Sequence, residues 1–139
     1  MYRKILLLVA ACVLVLAGNA FAGSYNYISP EQMKTKLEQK TPMHIMDIQV
    51  EDGYAKHHLP GAMKSCAYPV KSAEDKAKLD AFMADITKDE APVVIICPRG
   101  KGGAERTYEH LKEKGISESR LLILEGGQEG WPYPESLDK

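Results

Sequence analysis

Cysteine is scarce in this chain of 139 residues: Cys12, Cys66 and Cys97 are its three thiols. So few exclude a scaffold stapled by disulfides. Lysine and arginine number 18 against 19 acidic residues and form no block of the kind that grips phosphates, so no nucleic-acid partner is expected. The histidines, His44, His57, His58 and His110, have neither zinc-finger nor His-x-x-x-His spacing. No metal is expected from them, and nothing else in the chain calls for a cofactor. No internal repeat or low-complexity segment interrupts the sequence. The longest apolar run, Ile5 to Ala17, falls short of the roughly 20 residues that span a bilayer.

That run is instead read as the core of a secretory signal. Arg3 and Lys4 precede it, and Ala20-Phe21-Ala22 supplies the small-x-small pattern that is cleaved, so residues 1–22 are expected to leave and Gly23 to begin the mature chain. No stable membrane span then remains, and the expected location is periplasmic or secreted. Val9-Ala10-Ala11-Cys12 offers a lipoprotein-like alternative, in which Cys12 would be lipidated. The 117 residues from 23 to 139 suit one domain with its own core. Without the two basic residues of the signal, 16 basic residues face 19 acidic ones, a net charge of −3.

Strands and helices are predicted to alternate. After a short leader over 23–28, Ser29-Pro30-Glu31-Gln32 carries an N-cap, a first-turn proline and a capping-box glutamine, opening a helix to about Gln39. Met43 to Ile48 reads as a buried strand and Glu51 to Lys56 as one or two helical turns, stopped at Leu59-Pro60-Gly61. A short strand is expected between Ala62 and Tyr68. A helix capped by Ser72 should run to about Ile86, with Leu79, Phe82, Met83 and Ile86 on its buried face. Val93-Val94-Ile95-Ile96 is a β-branched run of the kind buried on both faces of a parallel sheet. A helix opening at Gly102 or Gly103 and capped at Gly115, then a strand over 121–124 before Gly126-Gly127, complete an α/β domain with a central, mainly parallel sheet flanked by helices.

The chemistry concentrates where the β-branched run ends, in Cys97-Pro98-Arg99-Gly100-Lys101-Gly102-Gly103. A cysteine at the carboxyl end of a buried strand, followed by a glycine-rich entry into a helix, sits where open α/β sheets bind ligands. Loop N–H groups and the helix N-terminus favour negative charge there, so they would stabilise a thiolate or an anion attached to it. The glycines let the backbone curl close to that anion, and Arg99 and Lys101 add fixed positive charge at the rim. The plainer alternative, an inert thiol ending a core strand, does not call for a cationic cradle.

This loop resembles the active-site loop of the rhodanese (sulfurtransferase) family. Asp47-Ile48-Gln49, Tyr54-Ala55, His58-Leu59-Pro60-Gly61-Ala62 and Leu124-Glu125-Gly126-Gly127 with Trp131 are similar, in order and spacing, to further signatures of that family, over about residues 28–134. The resemblance implies that Cys97 accepts sulfur from a small anionic donor such as thiosulfate, holds it as a persulfide, and passes it to a thiophilic acceptor such as cyanide, sulfite, a thiol or a partner protein. It implies that the main chain of residues 99–103, beyond Pro98, which has no N–H, solvates the anion. The short interval from Cys97 to Gly102 resembles sulfur-transferring members more than the related phosphatases and arsenate reductases. A catalytically weak module that carries sulfur or docks on a partner is the other alternative. The chain departs from the pattern at Gly102, where an arginine commonly closes the loop, and at Gln49 and His57.

The other candidates have humbler readings. Asp47 at a strand end is expected to cap the next turn, with orientation of the loop as the alternative. His58 is expected to fix its turn by hydrogen bonding, and Trp131 to plug the core or line the pocket mouth. Cys66, if residues 62–66 form a parallel strand, would lie on the same side of the sheet as Cys97, as a resolving thiol or simply a buried small side chain.

Overall fold

The computed structural model describes residues 24–139, so the expected signal, its cleavage site after Ala22 and Cys12 lie outside the described residues. Five parallel strands form one sheet: β1 (Tyr27–Ile28), β2 (His44–Asp47), β3 (Met63–Lys64), β4 (Val93–Ile96) and β5 (Leu121–Leu124). Their order across the sheet is β1-β5-β4-β2-β3, which puts β4 at the centre between β5 and β2. The helices are α1 (Pro30–Glu38), α2 (Glu51–Lys56), α3 (Ala73–Asp80), α4 (Met83–Thr87) and α5 (Gly102–Glu113).

The unbroken apolar run of β4 follows from its position. Val93 and Ile95 point to one face, where they pack with Met46, Leu79, Ile86, Tyr108 and Leu111. Val94 and Ile96 point to the other, against Ile28, Met33, Ile45, Leu59 and Trp131. All four are fully buried, so the strand has no polar side to alternate with. At about 1.5–3 kcal/mol for each fully buried aliphatic side chain, this central strand is among the main contributors to the fold.

Helix boundaries follow local chemistry closely. Ser29 Oγ accepts from Gln32 N at 3.1 Å while Gln32 Oε1 accepts from Ser29 N at 3.0 Å, the reciprocal pair expected at the start of α1. Gly115, at φ +97°, ends the last long helix as expected, with Ile116 N–H returning to Leu111 O.

Three expectations are corrected. Part of the supposed leader is β1, which pairs with the open edge of β5 through Asn26 O and Ile28 O; two residues are too short to show a periodic signal. The single helix expected over 72–86 is broken into α3 and α4. Phe82 N–H bonds Leu79 O, three residues back, in a tightened turn. Leu79 and Ile86 are still fully buried on either side of the break, because periodicity reports which face is buried and not whether the axis is continuous. The strand expected over 62–68 stops after Lys64: Cys66 takes φ +56° and Val70 φ +60°, conformations that leave the sheet.

Candidate active site

In a parallel sheet all carboxyl ends lie along one edge, and the central β4 delivers Cys97 to the middle of that edge. Cys97 is 2 % exposed, and it lines a cavity of about 230 Å³ together with Tyr68, Pro98, Arg99, Lys101, Gly102, Gly103 and Arg106. A reagent must therefore present a slim terminal atom to reach the thiol. Gly100 N–H donates to Cys97 Sγ at 2.9 Å, so the main chain itself meets the sulfur. The first N–H groups of α5, which have no partner within the helix, open onto the same loop.

The loop keeps its shape because it is clamped to the turn after β5. Gln128 N–H donates to Cys97 O at 2.8 Å and Glu129 N–H to Pro98 O at 2.9 Å. The two backbones approach so closely that side chains are excluded from both. A Cβ on Gly100 would lie 2.7 Å from Leu124 O, and one on Gly127 would lie 2.3 Å from Cys97 O. Both glycines also have positive φ, +71° and +61°. The Gly-Gly element singled out in the sequence is thus the support on which the cysteine loop rests.

Charge at the mouth is one-sided. Arg99, Lys101 and Arg106 line the cavity, and among the described residues none of the three pairs with a carboxylate. The arrangement offers a buried sulfur nucleophile, main-chain donors and unneutralised cations to a small anion.

The structure places Pro98, Arg99, Lys101, Gly102 and Gly103 around one cavity with Cys97, and Gly100 N–H on its sulfur. Three other candidates do not line this cavity. Asp47 is fully buried under the carboxyl edge, where its oxygens accept from Gln49 N at 2.9 Å and Gln49 Nε2 at 3.0 Å. Burial pushes its carboxyl up from the usual range, against the lowering effect of the Gln49 donors. Gln49, the departure from the family pattern, reaches on to His57 O at 3.1 Å and so ties the two segments together. His58 donates from Nδ1 to Tyr54 O at 2.9 Å and stacks on the Tyr54 ring at 3.9 Å, which fixes the turn as expected.

Cys66 is half-buried, with its Sγ 3.6 Å from Glu51 Oε2. Burial, and then that carboxylate, pushes its thiol up. The strand that would have carried Cys66 on the side of Cys97 ends at Lys64, and the left-handed turn at Cys66 sets its sulfur against Glu51. Trp131 packs in the core and donates from Nε1 to Tyr133 O at 3.0 Å, and it lines a different cavity with Gln49 and His57. His44 and His110 are each held by an aspartate, Asp89 at 2.8 Å and Asp80 at 2.7 Å.

Two lining residues escaped the sequence reading. Arg106 stands four residues after Gly102, one turn along the same helix face, a spacing that makes it legible in hindsight. Tyr68 arrives from the loop after β3, held by its N–H to Ile48 O at 2.9 Å, and no local pattern announces it.

Solved structures share this fold. A rhodanese-like domain protein from Staphylococcus aureus matches with a TM-score of 0.61 at 24% identity, covering 81% of this chain and 96% of that one. A thiosulfate sulfurtransferase from Pseudomonas aeruginosa matches with a TM-score of 0.61 at 18% identity, over 84% of this chain and 20% of that one. An As-Sb reductase from Leishmania major matches with a TM-score of 0.58 at 20% identity, over 82% and 85%. No curated protein matches the sequence. The family model of the rhodanese-like domain matches residues 29–132, which hold the cysteine loop, its glycine support and the strands β2 to β5: the chain belongs to the rhodanese-like domain family.

Proposed function

We propose that this chain is a sulfurtransferase that carries sulfane sulfur on Cys97, and that it works in the periplasm or outside the cell once residues 1–22 are removed. One observation carries the reading: the Cys97 sulfur receives a main-chain N–H at 2.9 Å in a cavity whose three cations have no carboxylate partner among the described residues. The location rests on the basic n-region, the apolar run and Ala20-Phe21-Ala22 alone.

The chemistry takes two displacements. The Cys97 thiolate attacks the outer sulfur of thiosulfate; a new S–S bond forms as the old one breaks, and sulfite leaves with the bonding pair. An acceptor such as cyanide, or a thiolate of a small molecule or protein, then attacks the outer sulfur of the persulfide, and the Cys97 thiolate is released. Sulfur remains anionic at each stage. Donors already aimed at it need no reorganisation as charge moves from thiolate to persulfide. The narrow approach to a thiol only 2 % exposed suits a terminal sulfur on a small body.

The test is intact-protein mass spectrometry after brief thiosulfate treatment, then after cyanide, with Cys97→Ser in parallel. One sulfur atom gained on Cys97 and removed by cyanide supports the reading. No gain on a reduced Cys97 overturns it in favour of a docking module or a relative acting on oxyanions.

A further inference from the structure

Arg106 is placed unlike the other two cations of the cavity. Arg99 and Lys101 are exposed on the loop, whereas Arg106 is half-buried on α5 and has one edge already committed: its Nε donates to Pro69 O at 2.9 Å. That bond fixes the plane of the guanidinium. The guanidinium lies against Gly102, Nη1 nearest, where a Cβ would lie 2.9 Å from Nη1 and 3.5 Å from Cζ and Nη2. Glycine at 102 leaves open the space that the guanidinium occupies beside the helix entry. Arg106 also lines a neighbouring groove that holds Glu105, Glu109 and Glu113, yet among the described residues none of these carboxylates pairs with it.

We propose that Arg106 is the specificity residue of the Cys97 cavity, its fixed Nη edge reading the anionic body of the reagent whose outer atom meets the sulfur. A held guanidinium loses less freedom on binding than an exposed lysine or arginine and presents paired donors to two oxygens of one anion. Position 102 supplies space and position 106 the charge. The identity of that anion as a sulfur donor rests on the sulfurtransferase reading; the placement of charge beside Cys97 does not.

The experiment separates the two. On a Cys66→Ser background, Cys97 is alkylated with iodoacetate, an anion, and with iodoacetamide, its neutral counterpart, and the ratio of rates is compared across Arg106 variants. Arg106→Ala should lower the ratio by about threefold, the scale of one partly screened charge interaction; any change in thiolate fraction affects both reagents alike and cancels in the ratio. Arg106→Glu should lower it again. An unchanged ratio, or an equal loss with both reagents, would overturn the proposal and leave Arg106 only the task of holding Pro69. Should the ratio fall while thiosulfate adds no sulfur, the anion-reading role stands and the sulfur-transfer reading fails.

Discussion

Two cysteines leave the same edge of one sheet and meet opposite surroundings. Cys97 is 2 % exposed, yet it has a main-chain N–H on its sulfur and three cations around its cavity. Cys66 is the more exposed, but it sits against Glu51, and burial together with that carboxylate favours the neutral thiol. The two sulfurs are thus told apart by the charges and dipoles that face them and not by exposure, and it is those surroundings that govern thiol reactivity.

The sharpest way to break the comparison is Cys97→Ser, which should abolish thiosulfate:cyanide turnover while circular dichroism and melting stay those of the parent. Retained turnover would transfer the chemistry elsewhere. Next in size, Gly127→Ala should cost at least about 1–3 kcal/mol from its left-handed backbone alone, and more from the 2.3 Å approach to Cys97 O. Denaturant unfolding should show that loss, with turnover falling as the clamp on the cysteine loop is forced open.

Replacing Arg99 and Lys101 together by alanine tests the electrostatic half of the contrast. Apparent affinity for thiosulfate should weaken by about threefold to tenfold, an effect diminished by added salt, since both groups are exposed. An unchanged affinity would show that main-chain donors and Arg106 hold the anion unaided.

Smaller still is the effect expected at Cys66. Burial and then Glu51 raise its thiol, so Glu51→Gln should remove the second cause, move the titration to lower pH and increase the thiolate fraction at neutral pH. Alkylation of Cys66 at neutral pH should accelerate a few-fold, read by peptide mass spectrometry, with Cys97 unaffected. Finally, Cys66→Ser should leave sulfur transfer unchanged; a clear fall in turnover would restore the resolving role.

How much of this was legible beforehand depends on how local the cause is. The capping box at Ser29, the fully apolar β4, the glycine cap at Gly115 and the loop from Cys97 to Gly103 each state their structure within a few neighbouring residues. The broken helix at Phe82, the two-residue β1 and the left-handed Cys66 do not, because each answers to a surface supplied from elsewhere in the chain. Glycines at 126 and 127 were visible as an element, but their purpose was not: it appears only when the turn after β5 lies against the loop after β4.

By itself, then, the sequence determined the α/β class, the order of strands and helices, and the placement of a thiol before an anion-favouring helix entry, since hydrophobic period, capping and backbone donors act over a few residues. Tertiary structure alone decided which more distant groups would face each cysteine. It set Arg106 over Gly102 and Glu51 against Cys66, because electrostatic surroundings are fixed by distances in space, between groups that the chain keeps far apart.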